Sequence, residues 1–363
     1  MLNIQDIFMH ILLLDLGKEM RGGQWQVFYL ARALARSQNF TVTLAAPAKA
    51  PLFQHAATVE GITLLPLSSG ADWDIRNIYK LRRAVTRDYA QVIHTHCAKS
   101  ASLGGIIKKM CGTGVRLIHT RRVSYPLKKG WSGNKYLLAD AIVGVSQEIS
   151  DTVLESISTL EKYKVSTIHS GIDASRYQEK KKREDDRVII GMIGALTEQK
   201  GHVVLVKALG ELAKYKDIPT WEARFVGDGP LFGEIKDLAE ELGISSHLAL
   251  LGRQDARDQL PYFDLLAVPS VNGEGSSGVI KEGWVGQLPV VTSDLPSNLE
   301  LVENNKSGLT FPNHDHKRLA QHLRNLMLDS KLRARLVEGG NKRVQEFTDM
   351  KMATAYMELY NQL

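Results

Sequence analysis

Val268-Pro-Ser-Val-Asn-Gly-Glu-Gly-Ser-Ser-Gly-Val-Ile-Lys-Glu-Gly-Trp-Val-Gly-Gln-Leu-Pro-Val-Val-Thr292 reads as a strand, a glycine-rich turn, a short helix and a second strand. Gly273, Gly275, Ser276, Ser277 and Gly278 let backbone N–H groups approach a ligand closely, and a helix starting near Gly278 turns its positive end toward an anion. That pattern is a phosphate seat. Glu274 in the turn and Glu282 about one helical turn past Gly278 would repel a phosphate, so their natural partners are neutral hydroxyls. A phosphate held between two acceptors of vicinal diols has the shape of a nucleotide sugar. A plainer reading of the same residues makes Glu282 a solvated helix residue and Glu274 a helix N-cap.

The segment resembles the Glu-x7-Glu motif of the retaining, nucleotide-sugar-dependent glycosyltransferases of the GT-B architecture (glycosyltransferase family 4-like, glycosyl transferases group 1). The resemblance runs through Glu274-Gly-Ser-Ser-Gly-Val-Ile-Lys-Glu282 and on into Gly286-Gln-Leu-Pro-Val-Val291. It implies an α/β fold of two Rossmann-like domains facing across a cleft, with a C-terminal helix crossing back to the first. It also implies that Glu282 binds ribose hydroxyls, that Glu274 lies beside the donor sugar, and that amides near Gly278 and Val279 hold the distal phosphate. Thr197-Glu-Gln-Lys-Gly201 is similar to the family's Gly-Arg-Leu…Glu-Lys-Gly signature, which places Lys200 on the diphosphate. The family's arginine position is Ala195 here. Losing one charge-assisted contact costs roughly 1.5–3 kcal/mol unless replaced, and Arg253 at a later strand end is a candidate replacement.

Working back toward the amino terminus, Met9-His-Ile-Leu-Leu-Leu14, a helix from Gln24 to Arg36 and Thr41-Val-Thr-Leu-Ala45 form a strand-helix-strand unit, which implies a parallel sheet. Gly22-Gly23 resembles the family's amino-terminal glycine loop, which lies across the cleft from the donor phosphates. Strands at Ile62–Leu65, Val92–Thr95, Val115–Ile118 and Ala141–Val145 continue the rhythm. Ligands bind at the ends of such strands, which puts His94, His96, His119, Arg121 and Arg122 at expected strand ends. The family often has a histidine in this region beside the reacting sugar or the acceptor; either His119 or Arg121 matches that position. Each histidine read plainly is a satisfied residue at the end of a strand. The charged run Tyr177–Arg187 is the best boundary. The expected domains are 1–175 with helix 346–363, a linker at 176–187, and 188–345.

A chain of 363 residues is comfortable for two domains. Cys97 and Cys111 suggest neither a disulfide framework nor a zinc site. Apolar runs are only strand length, and no basic-then-apolar leader opens the sequence, so a cytoplasmic protein is expected. Net charge is +6, and no acidic residue falls between Asp88 and Asp140, whereas Lys99, Lys108, Lys109, Arg116, Arg121, Arg122, Lys128, Lys129 and Lys135 do. Such a region attracts anionic partners, here an anionic membrane surface at the inner face or an acidic acceptor; a solvated basic face is the bland alternative. Nucleic acid is not expected, since no nucleic-acid module is recognisable.

These readings converge on a retaining glycosyltransferase moving a hexose-type sugar from a nucleoside-diphosphate sugar to an anionic lipid-linked glycan or lipopolysaccharide precursor. Lys200, Glu274, His119 and Arg121 are the expected catalytic residues. Gly22, Gly23, Lys200, Arg253, Glu274, Gly278, Val279 and Glu282 are the expected donor-binding residues. No metal or other cofactor is required, since no Asp-x-Asp motif stands beside a strand. A nucleotide-sugar epimerase, a phosphorylase and a non-catalytic nucleotide- or glycan-binding protein are the alternatives.

Overall fold

The computed structural model describes residues 8–68, 74–128, 130–178, 180–181 and 185–363. Lys129 of the acid-free region and Glu179, Lys182, Arg183 and Glu184 of the expected linker lie outside them. The chain forms two units: residues 1–171 with 349–363, and residues 172–348.

Unit 1 carries β1 (Met9–Leu14), β2 (Phe40–Pro47), β3 (Ile62–Leu67), β4 (Val92–Thr95), β5 (Arg116–Arg121), β6 (Ala141–Gly144) and β7 (Val165–Thr167). They form one parallel sheet in the order β3-β2-β1-β4-β5-β6-β7. Ile11, Leu12, Leu13 and Leu14 are fully buried, as expected of a strand covered on both faces by crossover helices. The strand order reverses between β1 and β4, and the crevice beyond the carboxyl ends of those strands is where this class of sheet takes ligands. Asp15, His96 and Arg122 directly follow β1, β4 and β5.

The C-terminal helix Asp349–Gln362 belongs to unit 1. Its Met352, Ala353, Tyr356 and Tyr360 share a core with Val27, Leu30, Ala31 and Leu34 of helix Gly22–Arg36. Three polar contacts fix it in place: Arg32 to Asp349 at 2.6 Å, Tyr360 Oη to His94 Nδ1 at 2.6 Å, and Tyr356 Oη to Thr120 Oγ1 at 3.0 Å. The return to unit 1 falls at 348/349, a few residues after the expected 346.

Unit 2 carries β8 (Val188–Ile193), β9 (Trp221–Val226), β10 (Leu248–Leu250), β11 (Leu265–Val268), β12 (Val290–Ser293) and β13 (Leu309–Phe311). This sheet is also parallel, in the order β10-β9-β8-β11-β12-β13. Its order reverses between β8 and β11, and the glycine-rich loop leaves the carboxyl end of β11. The expected linker is not a free connector where it is described. Tyr177 bonds Glu282, Lys180 pairs with Asp264 at 2.9 Å, and Lys181 N–H donates to the Pro261 carbonyl at 2.9 Å. Its charges therefore pack on unit 2, and the boundary lies earlier, at 171/172.

Candidate functional site

In unit 2 the loop after β11 leads into helix Gly278–Val285. A helix start leaves four N–H groups without an intrahelical partner, normally met in part by the N-cap side chain. Ser277 is the N-cap here, yet its side chain makes no capping bond. The hydroxyl is 3% exposed as a residue and has no hydrogen-bond partner among the described residues. A Cβ added to Gly278 would meet nothing within 4 Å. The flank of the helix start at Gly278 is therefore open, beside an unused N-cap hydroxyl that is itself buried, and helix starts of this kind favour anions.

Lys200 is brought to this loop by backbone packing. Gly201 has φ +72°, and a Cβ there would lie 1.9 Å from the Pro269 carbonyl oxygen, so only glycine allows the approach. Val271 N–H donates to the Gln199 carbonyl at 2.9 Å and ties the two segments. Lys200 Nζ then reaches Glu274 Oε1 at 2.6 Å, and Ser270 Oγ donates to the same oxygen at 2.5 Å. Glu274 is therefore the lysine's counter-ion, where the sequence suggested only hydroxyl partners. Glu282 accepts a neutral hydroxyl from within the protein, Tyr177 Oη donating to its Oε1 at 3.1 Å. Burial pushes the Glu282 carboxyl above its ordinary pKa, and the Tyr177 bond opposes that shift.

Ala195 is exposed and leaves no cation at its position. Arg253 is exposed one residue beyond Gly252, whose carbonyl accepts from Gly227 N–H at 2.9 Å. It thus stands beside the Gly227–Gly229 turn that packs on Gly194 and Leu196.

In unit 1 the expected residues sort differently from the sequence reading. His94 lies within β4 and is fully buried between Tyr360 and Thr120 Oγ1, 2.7 Å away. His119 lies within β5, 1% exposed, with Nδ1 2.5 Å from Thr95 Oγ1 and its ring against Tyr136. Burial pushes its pKa down to about 4, which favours the neutral imidazole at pH 7. Arg121 is 8% exposed and is committed to the Tyr125 carbonyl and the Tyr136 hydroxyl. His119 Nε2 and Arg121 Nε are nevertheless buried without hydrogen-bond partners among the described residues.

A second cation, Arg122, directly follows β5. Its Cδ would lie 3.2 Å from a Cβ added to Gly23, at the start of helix Gly22–Arg36. One terminal nitrogen sits 3.4 Å from His96 Nδ1. Arg122 Nε and His96 Nε2 are both buried and lack hydrogen-bond partners among the described residues. Asp15, fully buried, faces the same place: it accepts from Gly17 N–H at 2.7 Å and from Gln24 at 3.2 Å, and it also feels the Arg122 charge. Burial raises the Asp15 pKa, lowers that of Arg122, and drives that of His96 well down. Four buried nitrogens at the ends of β4 and β5, on His96, His119, Arg121 and Arg122, thus lack partners among the described residues, and buried polar groups are ordinarily satisfied.

The acid-free region is less outward-facing than its charge suggests. Lys108 and Arg116 pair with Asp140 at 2.8 and 3.5 Å, and Lys135, 5% exposed, donates to the Ala98 carbonyl at 2.7 Å. Among the described residues, no group of three or more His, Cys, Asp or Glu side chains could hold a metal ion.

Two doubly wound parallel units, each with one reversal of strand order, define a two-unit α/β protein of the Rossmann-like class. Residues 20–176 match the profile of Glycosyltransferase Family 4, and residues 173–343 match that of Glycosyl transferases group 1. The chain belongs to this family of glycosyltransferases. It is 23% identical over 310 residues to the UDP-Gal:alpha-D-GlcNAc-diphosphoundecaprenol alpha-1,3-galactosyltransferase of Escherichia coli, covering 79% of each chain. It is 27% identical over 176 residues to the lipopolysaccharide core biosynthesis glycosyltransferase LpsE of Rhizobium meliloti, covering 48% of this chain and 50% of that protein. Its match to EpsF of Bacillus subtilis spans 57% of that relative. Among solved structures, Anabaena HepE in complex with UDP and glucose superposes with a TM-score of 0.80 at 18% identity, covering 98% of this chain and 100% of that one. That likeness shows the fold.

Proposed function

We propose that the protein transfers a hexose, with retention of configuration, from a nucleoside-diphosphate sugar to an anionic lipid-linked glycan or lipopolysaccharide precursor. The carrying observation is the uncapped start of helix Gly278–Val285, with the spare Ser277 hydroxyl, beside Lys200. The Escherichia coli relative is named for UDP-galactose and a diphosphoundecaprenol acceptor, and LpsE for the lipopolysaccharide core. Both names support this choice of donor and acceptor.

In this reading the Gly278 and Val279 amides take the distal phosphate, Lys200 neutralises the leaving diphosphate, and the free edge of Glu282 takes ribose hydroxyls. The bond from the sugar's anomeric carbon to the diphosphate oxygen breaks as the acceptor oxygen bonds to that carbon on the same face. The acceptor proton passes to the leaving diphosphate. Such a step requires charge neutralisation above all, which fixed cations supply without a metal. Arg253 stands in for the cation missing at Ala195. In unit 1, Arg122 and the Gly22-Gly23 helix start hold a second anionic oxygen of the substrates.

The expected result of a transfer assay is release of nucleoside diphosphate that depends on a lipid-linked glycan acceptor and continues in excess chelator. Release without acceptor dependence would speak for hydrolysis or phosphorolysis, and no release for a binding protein.

Membrane association is supported by helix Ile75–Thr86 in unit 1. Ile75 and Tyr79 are 77% and 66% exposed, among Arg76, Lys80, Arg82 and Arg83. Exposed apolar side chains flanked by cations suit the interface of an anionic leaflet. No helix among the described residues is long and apolar enough to cross a membrane. Co-sedimentation with vesicles containing phosphatidylglycerol should exceed that with pure phosphatidylcholine vesicles and fall at high salt. Equal binding to both at low salt removes this part of the reading.

A further inference from the structure

Lys281 directly precedes Glu282 on helix Gly278–Val285 and is fully buried. A helical side chain leans toward the helix N-terminus, and this one reaches back so that Nζ donates to Ser276 Oγ at 2.6 Å. Ser276 lies in the glycine-rich loop. On another side, Nζ lies 5.2 Å from the centroid of the Phe347 ring. Phe347 in turn accepts Ile172 N–H at its carbonyl, 2.8 Å away.

A buried ammonium is costly, and the positive end of a helix is a poor neighbour for it. An apolar side chain would fill this space without either penalty. Both penalties reverse when an anion occupies the helix start, and the unpartnered Ser277 hydroxyl between Ser276 and Gly278 points independently to such a ligand. We propose that Lys281 is part of the donor diphosphate seat: a positioning residue that braces the loop through Ser276 and supplies a buried counter-charge. This rests on the donor-site reading above.

The titration direction agrees. Burial alone pushes the Lys281 pKa down to about 7. Three charged groups on neighbouring segments are engaged as follows. Arg343, 5.0 Å from the Phe347 centroid, pairs with Glu346; Glu282 is turned to Tyr177; Glu274 is held by Lys200. A diphosphate would raise the depressed pKa, so binding should take up protons near neutral pH, and the added affinity should fade as pH rises above about 7.

The test is isothermal titration of the full chain with UDP, GDP and ADP, in buffers of different ionisation enthalpy, from pH 6 to 9. The tightest of the three is carried forward to Lys281→Met and Ser276→Ala. Protons exchanged by the nucleotide's own phosphate cancel in the comparison. Wild type is expected to take up more protons per nucleotide than Lys281→Met, by a sizeable fraction of one. Lys281→Met should bind about tenfold more weakly at pH 6.5, with the gap closing by pH 8.5, a factor that corresponds to a one-unit pKa change. Methionine is of similar length and removes a buried charge, so the variant should melt no lower than wild type. Should it nevertheless fail to fold, Ser276→Ala decides: with Lys281 in place but its brace gone, the uptake maximum should move to lower pH. Equal affinity and equal proton uptake in Lys281→Met, or an unmoved uptake profile in Ser276→Ala, overturns the proposal for Lys281 alone. Failure of wild type to bind any of the three diphosphates overturns the donor-site reading and this proposal with it.

Discussion

Lys200→Ala is expected to lower kcat/KM for the sugar nucleotide by about 10²–10³-fold, the effect of removing one fixed donor from a developing negative charge. The loss should fall mainly on kcat, because charge on the diphosphate grows as the glycosidic bond breaks. Two contributions act together. The leaving group loses its cation, and Glu274, 8% exposed at its side chain, keeps only the Ser270 hydroxyl where it had an ion pair. A carboxylate stranded beside a diphosphate opposes binding as well. Removing both members, in Lys200→Ala with Glu274→Gln, should therefore recover part of the KM effect but none of the kcat effect. Initial rates at saturating acceptor separate the two. An unchanged kcat in Lys200→Ala would remove Lys200 from the chemistry.

Arg122→Ala should have the next largest effect, a loss of about 10²-fold in kcat/KM. Its Nε, like that of Arg121, is buried without a partner among the described residues, but its terminal nitrogen lies 3.4 Å from His96 and its stem rests on Gly23, whereas the terminal nitrogens of Arg121 are taken by Tyr125 and Tyr136. A buried nitrogen without a partner costs stability unless a ligand satisfies it. The same change in the neighbouring cation, Arg121→Ala, should act on melting temperature more than on turnover, since Arg121 is tied to Tyr125 and Tyr136 within unit 1. Arg122→Lys should recover little, because an ammonium cannot reproduce the planar fork. Steady-state kinetics beside thermal melts of both variants decide the matter. Equal losses of rate from Arg121→Ala and Arg122→Ala would contradict the assignment.

The sequence offered Arg121 and Arg122 alike as strand-end residues, and what separates them in the structure is not local pattern. The loop from Gly273 to Gly278 and the helix after it are local, and their glycines, hydroxyls and apolar spacing were sufficient to place them. The strand-helix rhythm likewise gave both parallel sheets. Side chains at a strand end, however, alternate in direction from one residue to the next. Arg121 is bound to Tyr136 and Arg122, just past the strand, faces Gly23, and a strand placed at Val115–Ile118 does not tell the two apart. His94 was out of reach for another reason: its partner Tyr360 lies 266 residues away on a helix that returns from the end of the chain. Glu274 and Lys200, 74 apart, are joined by the approach at Gly201, which no local pattern encodes. Lys281 runs against polarity itself, since a lysine on a helix is ordinarily solvated and this one is fully buried.

The most direct measurement is a crystal structure of the full chain with an intact nucleoside-diphosphate sugar or its non-hydrolysable analogue. The distal phosphate should lie within hydrogen-bond distance of the Gly278 and Val279 amides and of the Ser277 hydroxyl, with Lys200 on the diphosphate and Glu282 on the ribose. A nucleotide bound elsewhere, or a Gly278 helix start left unoccupied beside a bound donor, would contradict the seat on which the proposed reaction depends.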